Sequence, residues 1–265
     1  MRISKLFTFS VCLAIFVGGS VVAATSSVAA DVRYVALGDS YSSGLGTGNY
    51  DPASGGCKRS PNAYPPMWAG SHPTTSFSFV ACSGATTTDV LNGQLGALSS
   101  SITLVSITIG GNDAGFSNVM ETCVLQSDST CLAAVSQAQD FAVNQLPGRL
   151  NTLFSAIDSK APAAHVVVLD YPHLYKIINL CAGLSNTKRT ALNNAADTLD
   201  TTISKATANA GFDFADVRDR FTGHELCSGD GWLHSVTIPI GESYHPTSLG
   251  HSHGYLPVFT SAASG

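Results

Sequence analysis

A serine hydroxyl is a poor nucleophile until a base takes its proton, and histidine is the usual base because its pKa lies near operating pH. This chain offers such a pair at its two ends. Ser40 lies in Gly38-Asp39-Ser40-Tyr41, directly after the apolar run Val35-Ala36-Leu37, and His245 lies in Ser243-Tyr244-His245-Pro246. Two more islands carry groups able to donate hydrogen bonds to a developing oxyanion. Asn112, in Gly110-Gly111-Asn112-Asp113, has a side-chain amide, and Gly84, in Cys82-Ser83-Gly84-Ala85, has a backbone N–H that a ligand can approach closely. Each island has a plainer explanation, a capping serine or an ordinary turn. Nucleophile, base and oxyanion donors together are what attack on an acyl carbonyl requires.

Those groups must be held by a sheet. Strand-like runs fall at 34–37, 77–81, 102–109, 165–169 and 212–215, and helical spacing falls between several of them. Residues 132–157 read as helical with a break or restart at Pro147, 184–209 as a polar-faced amphipathic helix, and 248–259 as a short last one. Strands alternating with helices imply a parallel sheet covered on both faces. Ser40, Gly84 and Asn112 each follow a strand, where an open α/β sheet places its chemistry. The Gly/Ser/Pro-rich stretch 42–66 reads as a loop decorating the site.

Residues 1–30 read as a secretory leader: Arg2 and Lys5 precede an apolar run, and Val28-Ala29-Ala30 ends it in small residues. Cleavage after Ala29 or Ala30 would leave residues 31–265 as one catalytic domain, secreted and extracellular, with no membrane anchor. The whole chain carries a net charge of −5, and losing Arg2 and Lys5 makes it −7. With no basic stripe, nucleic acid is not an expected partner. Gly44-Leu45-Gly46-Thr47-Gly48 lacks the spacing of a dinucleotide loop.

Without Cys12, six cysteines remain, and an even number in a secreted chain argues for disulfides. Six allow fifteen pairings. Spacing alone does not choose among them, although Cys123 and Cys131 bracket a short polar loop and could close it directly. No Cys-x-x-Cys pair occurs, and His251 and His253 are better read as packing or solvated side chains than as metal ligands beside His245. No metal or organic cofactor is expected.

The order serine, glycine, asparagine, histidine, in the blocks Gly-Asp-Ser, Ser-Gly-Ala-Thr, Gly-Gly-Asn-Asp and His-Pro, resembles the SGNH hydrolase superfamily, the GDSL esterases and lipases. The resemblance spans residues 31–265. Leu37-Gly38-Asp39-Ser40-Tyr41-Ser42-Ser43-Gly44 and His224-Glu225-Leu226-Cys227 are similar to its secreted, disulfide-bonded bacterial branch of lipases and phospholipases A. It implies a three-layer, flavodoxin-like α/β/α fold with a central parallel sheet, Ser40 as nucleophile and His245 as base. It further implies an oxyanion hole from the N–H groups of Ser40 and Gly84 and the amide of Asn112. The branch pairs cysteines sequentially, which here gives Cys57–Cys82, Cys123–Cys131 and Cys181–Cys227. One position departs from the pattern: the family's aspartate three residues before the histidine is Glu242 here. Either the Glu242 carboxylate orients His245, or a backbone carbonyl of Glu242 or Ser243 does.

The implied reaction is ester hydrolysis through an acyl-enzyme on Ser40, acting on a small-molecule or lipid ester and carried out by a monomer. His245 protonation should lower the rate in acid, so that it has fallen by about pH 4. The segment 171–181 is too apolar for a free surface loop, and Leu174, Ile177 and Ile178 are expected to line an acyl pocket pinned by Cys181–Cys227. A carbohydrate acetylesterase or an acyltransferase would use the same site. A binding domain with a degenerate site would have lost part of the constellation, and every part is present.

Overall fold

The computed structural model describes residues 31–265; the leader expected over 1–30, with Cys12, lies outside the described residues. Each expected strand forms: β1 (Arg33–Gly38), β2 (Ser76–Phe79), β3 (Leu104–Thr108), β4 (His165–Leu169) and β5 (Asp213–Ala215). They make one parallel sheet in the order β2-β1-β3-β4-β5. Tyr34 pairs with Leu104 and Leu104 with His165, which aligns the carboxyl ends of β1, β3 and β4. These central strands are covered on both faces, which is why they read as continuous apolar runs rather than alternating ones.

The helices are α1 (Ser40–Ser43), α2 (Tyr64–Ser71), α3 (Thr87–Gly93), α4 (Phe116–Leu125), α5 (Asp128–Asn144), α6 (Leu146–Lys160), α7 (Asn186–Asn209), α8 (Arg218–Phe221) and α9 (Leu256–Ala262). They fall into two layers. α2 packs with α9, and Trp68 and Phe259 from those helices meet the Tyr34 ring on β1. The other layer joins α3 to α6, α6 to α7, α7 to α5 and α5 to α4. The architecture is the three-layer α/β/α arrangement.

Local chemistry explains most boundaries. Ser127 and Ser185 cap α5 and α7 through their side chains, and Thr86 with Asp89 forms a reciprocal capping box on α3. Pro147 falls in the first turn of α6, where its missing N–H costs nothing, so the expected long helix is two helices. The expected C-terminal helix is a wide turn at Gly250–Tyr255 running into α9. One reading changes. Residues 42–66 hold more than a loop, since α2 begins at Tyr64 with Pro65 and Pro66 in its first turn. Cys123 and Cys131 are bonded across the short connection between α4 and α5, and because they sit on those helices the bond ties a helical hairpin. Cys57–Cys82 and Cys181–Cys227 are also bonded. Among the described residues, no helix is long and apolar enough to cross a membrane.

Candidate active site

Chain order reverses between β1 and β3, and a crevice opens beyond their carboxyl ends, the usual ligand site of such a sheet. Ser40 is the first residue of α1 at that point, largely buried. Its position rests on Gly38, whose φ is +120° and where a Cβ would lie 2.5 Å from the Thr108 carbonyl oxygen. Only glycine lets β1 end so close to β3. Gln94 grips the same residue from both sides, accepting from the Gly38 N–H at 2.8 Å and donating to its carbonyl at 2.8 Å.

His245 Nε2 lies 2.8 Å from Ser40 Oγ, and its Nδ1 lies 3.0 Å from the Ser243 carbonyl oxygen. With Nδ1–H donating to that carbonyl, Nε2 is left to accept the serine proton. The loop is held so that this happens: Tyr244 takes a φ of +67°, and the Tyr41 hydroxyl donates to its carbonyl at 2.7 Å. Burial is the main cause pushing the His245 pKa down to about 4, against the Ser243 bond, which favours the charged form. An imidazole so placed stays neutral, and able to accept a proton, down to about pH 4.

Among the described residues the Glu242 carboxylate makes no hydrogen bond to His245. That carboxylate accepts from the Tyr50 hydroxyl at 2.7 Å, and that hydroxyl accepts from the Gly46 N–H at 2.9 Å. Of the alternatives left open by the sequence, the Ser243 backbone carbonyl occupies the place. The extra methylene of glutamate takes its carboxylate to a neighbouring loop instead. Glu242→Gln, which still accepts from Tyr50, should keep kcat/KM within about threefold, since the exchange is one hydrogen bond of ~1 kcal/mol or less. A loss as deep as that of Ser40→Ala in the same ester assay would return the carboxylate to the mechanism.

The proposed oxyanion donors come from three neighbouring turns. The N–H groups of Ser40 and Gly84 have no acceptor among the described residues. Asn112 shares a cavity wall with Ser40, and one of its amide hydrogens is used on the Ala85 carbonyl at 3.0 Å, which leaves the other free. That bond couples the Asn112 turn to the Gly84 turn. Asp113 adds a second tie, accepting from the Thr87 N–H and hydroxyl at 2.8 and 2.7 Å.

Two positioning residues escaped the sequence reading. Asp39 caps α1, accepting from Tyr41 N–H at 3.0 Å and from the Thr108 hydroxyl at 2.7 Å. It also accepts a short bond from the Tyr171 hydroxyl, which in turn accepts from the Gly111 N–H at 3.2 Å. One carboxylate thus fixes both the nucleophile turn and, through Tyr171, the Gly-Gly-Asn turn. Burial pushes its pKa up to about 6, opposed by these bonds. The signal available in the sequence was position: an acid beside the serine, and a tyrosine two residues past the end of β4.

An apolar cavity runs from this site. Ser40, Tyr41 and Asn112 stand in its wall, and Phe116, Leu192 and Leu199 line it with alanines of α5 and α7. Of the residues expected to line an acyl pocket, only Leu174 does so. Asn193 holds Tyr175 through both its N–H and its carbonyl, and Lys176 N–H bonds to the Leu226 carbonyl, so the chain turns away. Ile177 is exposed and Ile178 half-buried, outside the cavity. His251 is fully buried, its Nδ1 accepting from the Tyr64 N–H at 3.2 Å, as befits a packing role. Among the described residues, no three His, Cys, Asp or Glu side chains are grouped to hold a metal ion.

The model of the GDSL-like Lipase/Acylhydrolase family matches residues 36–253. "Lipase 1" of Streptomyces coelicolor is 54% identical over 99% of this chain and 100% of its own length. The crystal structure of phospholipase A1 from Streptomyces albidoflavus NA297 is 57% identical, with a TM-score of 0.87 over 88% of this chain and all of that one. An extracellular lipase from Streptomyces rimosus is 56% identical, with a TM-score of 0.86 over 87% of this chain and 99% of that one.

Proposed function

This chain belongs to the GDSL-like lipase/acylhydrolase family, and within it we propose that Ser40 and His245 work as a dyad, completed by a main-chain carbonyl, that cleaves long-chain acyl esters of lipids or phospholipids. The enzyme is a carboxylic ester hydrolase. One observation carries the assignment of its machinery: Ser40 Oγ, 2.8 Å from His245 Nε2, stands in the wall of an apolar cavity.

In the proposed cycle His245 Nε2 takes the Ser40 proton as the hydroxyl oxygen attacks the ester carbonyl. The negative charge collects where the Ser40 and Gly84 N–H groups and the free Asn112 amide hydrogen converge. His245 then protonates the leaving alcohol, giving the acyl-enzyme, and activates the water that releases the acid. The Ser243 carbonyl stabilises the imidazolium formed in each half. An acyltransferase would differ only in the second acceptor, and a sugar acetylesterase would leave the cavity unused.

Every group of the site comes from one chain, so we read the working unit as a monomer. Secretion is supported by the leader-like residues 1–30, by three disulfides, and by the extracellular relative from S. rimosus.

Release of acid from p-nitrophenyl esters of graded length, triolein and phosphatidylcholine, with Ser40→Ala as control, tests this reading. Activity confined to acetyl esters would overturn it. A bulky side chain in the cavity gives a sharper test. Ala196, on α7, lines it, and Ala196→Phe should lower kcat/KM for palmitate esters about tenfold or more while sparing butyrate. Each methylene denied burial costs ~0.8 kcal/mol. Equal losses at both lengths would place the acyl chain elsewhere.

A further inference from the structure

Five large apolar side chains stand exposed on two loops that meet beside the residue preceding His245. The first loop has a narrow base, where Tyr244 N–H bonds to the His234 carbonyl and His234 N–H to the His245 carbonyl, each at 2.9 Å. Beyond it project Ile238, 94% exposed, Ile240, 70% exposed, and Val236. The second loop follows β4 and carries Ile177 and Leu180, the latter 94% exposed. The two loops meet where the Tyr175 ring packs on Tyr244, centroids 6.3 Å apart, and the Cys181–Cys227 bond anchors the second.

We propose that the tips of these two loops dock the enzyme on a lipid–water interface, Ile238 and Ile240 entering the acyl boundary beside the mouth of the active site. The patch is continuous with the catalytic loop: its base is His245 itself, so whatever covers the tips lies against the site. Its chemistry also selects the occupant. No charged residue occurs in 235–241 or 177–186, in a chain of net charge −5. An anionic protein would ordinarily keep charge on such a patch, and burying charge in hydrocarbon is costly. An uncharged apolar patch suits a lipid surface better than a charged partner. The proposal rests on the lipid-ester reading above, since an enzyme of soluble acetates would gain nothing from it.

The test separates the two. In a Ser40→Ala background, which spares the lipid, the chain is sedimented with palmitoyl-oleoyl phosphatidylcholine vesicles. Ile238→Asp with Ile240→Asp should lower vesicle partitioning at least tenfold, and Val143→Asp, at an exposed apolar position on α5, should not. With Ser40 restored, the double variant should hydrolyse dissolved p-nitrophenyl butyrate within about twofold of the parent and lose activity on the vesicles. Partitioning unchanged by the pair would overturn the docking proposal, whatever the substrate. If the aspartate pair also loses butyrate turnover, Ile238→Ser with Ile240→Ser decides by the same partition measurement. A parent that binds vesicles but releases no fatty acid would count against the lipid-ester reading instead.

Discussion

Ser40→Ala should lower kcat/KM for any ester the enzyme cleaves by a factor on the order of 10⁴ to 10⁶, and His245→Ala should fall in the same range. The double variant is no worse than the poorer single one. In the proposed dyad the two side chains act as one unit: without its base the hydroxyl stays protonated, and without the hydroxyl the base has no proton to move. The residual rate is what the oxyanion donors and the cavity supply alone. Initial rates on p-nitrophenyl butyrate, with near-UV circular dichroism to show that the fold is intact, read this directly; additive losses would mean that the pair does not work together. The pH profile of the parent carries a second reading of the same geometry. His245 must be neutral to act as base. Burial lowers its pKa from the usual 6.5 to about 4, so kcat/KM is expected to be full above that value and to fall as pH drops through it. An acid limb centred at 6.5 would show that the imidazole is not desolvated as this geometry requires.

Asn112→Ala comes second in size. Removing one oxyanion donor costs on the order of 10² to 10³ in kcat, about 3 to 4 kcal/mol, because the charge it meets exists only in the transition state. KM should change little. The complication is the bond from Asn112 to the Ala85 carbonyl, whose loss frees the Gly84 turn. Comparison of kcat with KM resolves it: a merely structural role spreads the loss over both and lowers the melting temperature, whereas donation to the oxyanion falls on kcat alone. A kcat within fivefold of the parent would remove Asn112 from the oxyanion hole.

The parts of this enzyme that were legible in sequence are those whose physics is local. β1, β3 and β4 announced themselves because strands buried on both faces must be apolar throughout. Ser40 and Asn112 stood out because each sits on a break soon after such a strand, β1 or β3, whereas Gly84 follows the partly exposed edge strand β2. The α2 helix was hidden by Tyr64-Pro65-Pro66, residues that favour a loop until one sees them in a first turn. The cavity was misplaced for a different reason. Its walls are faces of α4, α5 and α7, brought together by packing across the α4–α5 hairpin and the sheet, and no stretch of sequence contains it. Ile177 and Ile178 looked buried because they are apolar, yet the backbone bonds at Tyr175 and Lys176 turn them outward. Asp39 was visible only as the neighbour of the serine. Its partner Tyr171 lies 132 residues away, and the sheet alone brings them together.

The third partner of His245 is not encoded by any codon. Every amino acid at position 243 presents the same carbonyl, provided the chain follows the same path, so the group that steadies the base is beyond the reach of a single-nucleotide change. What inheritance must preserve instead is the trajectory: the left-handed turn at Tyr244 and the Tyr41 hydroxyl that pins it. Drift at 243 costs little more than the bond its hydroxyl accepts from the Thr237 N–H. The carboxylate three residues before His245 serves elsewhere, joining the Tyr50 loop to the loop that bears His245.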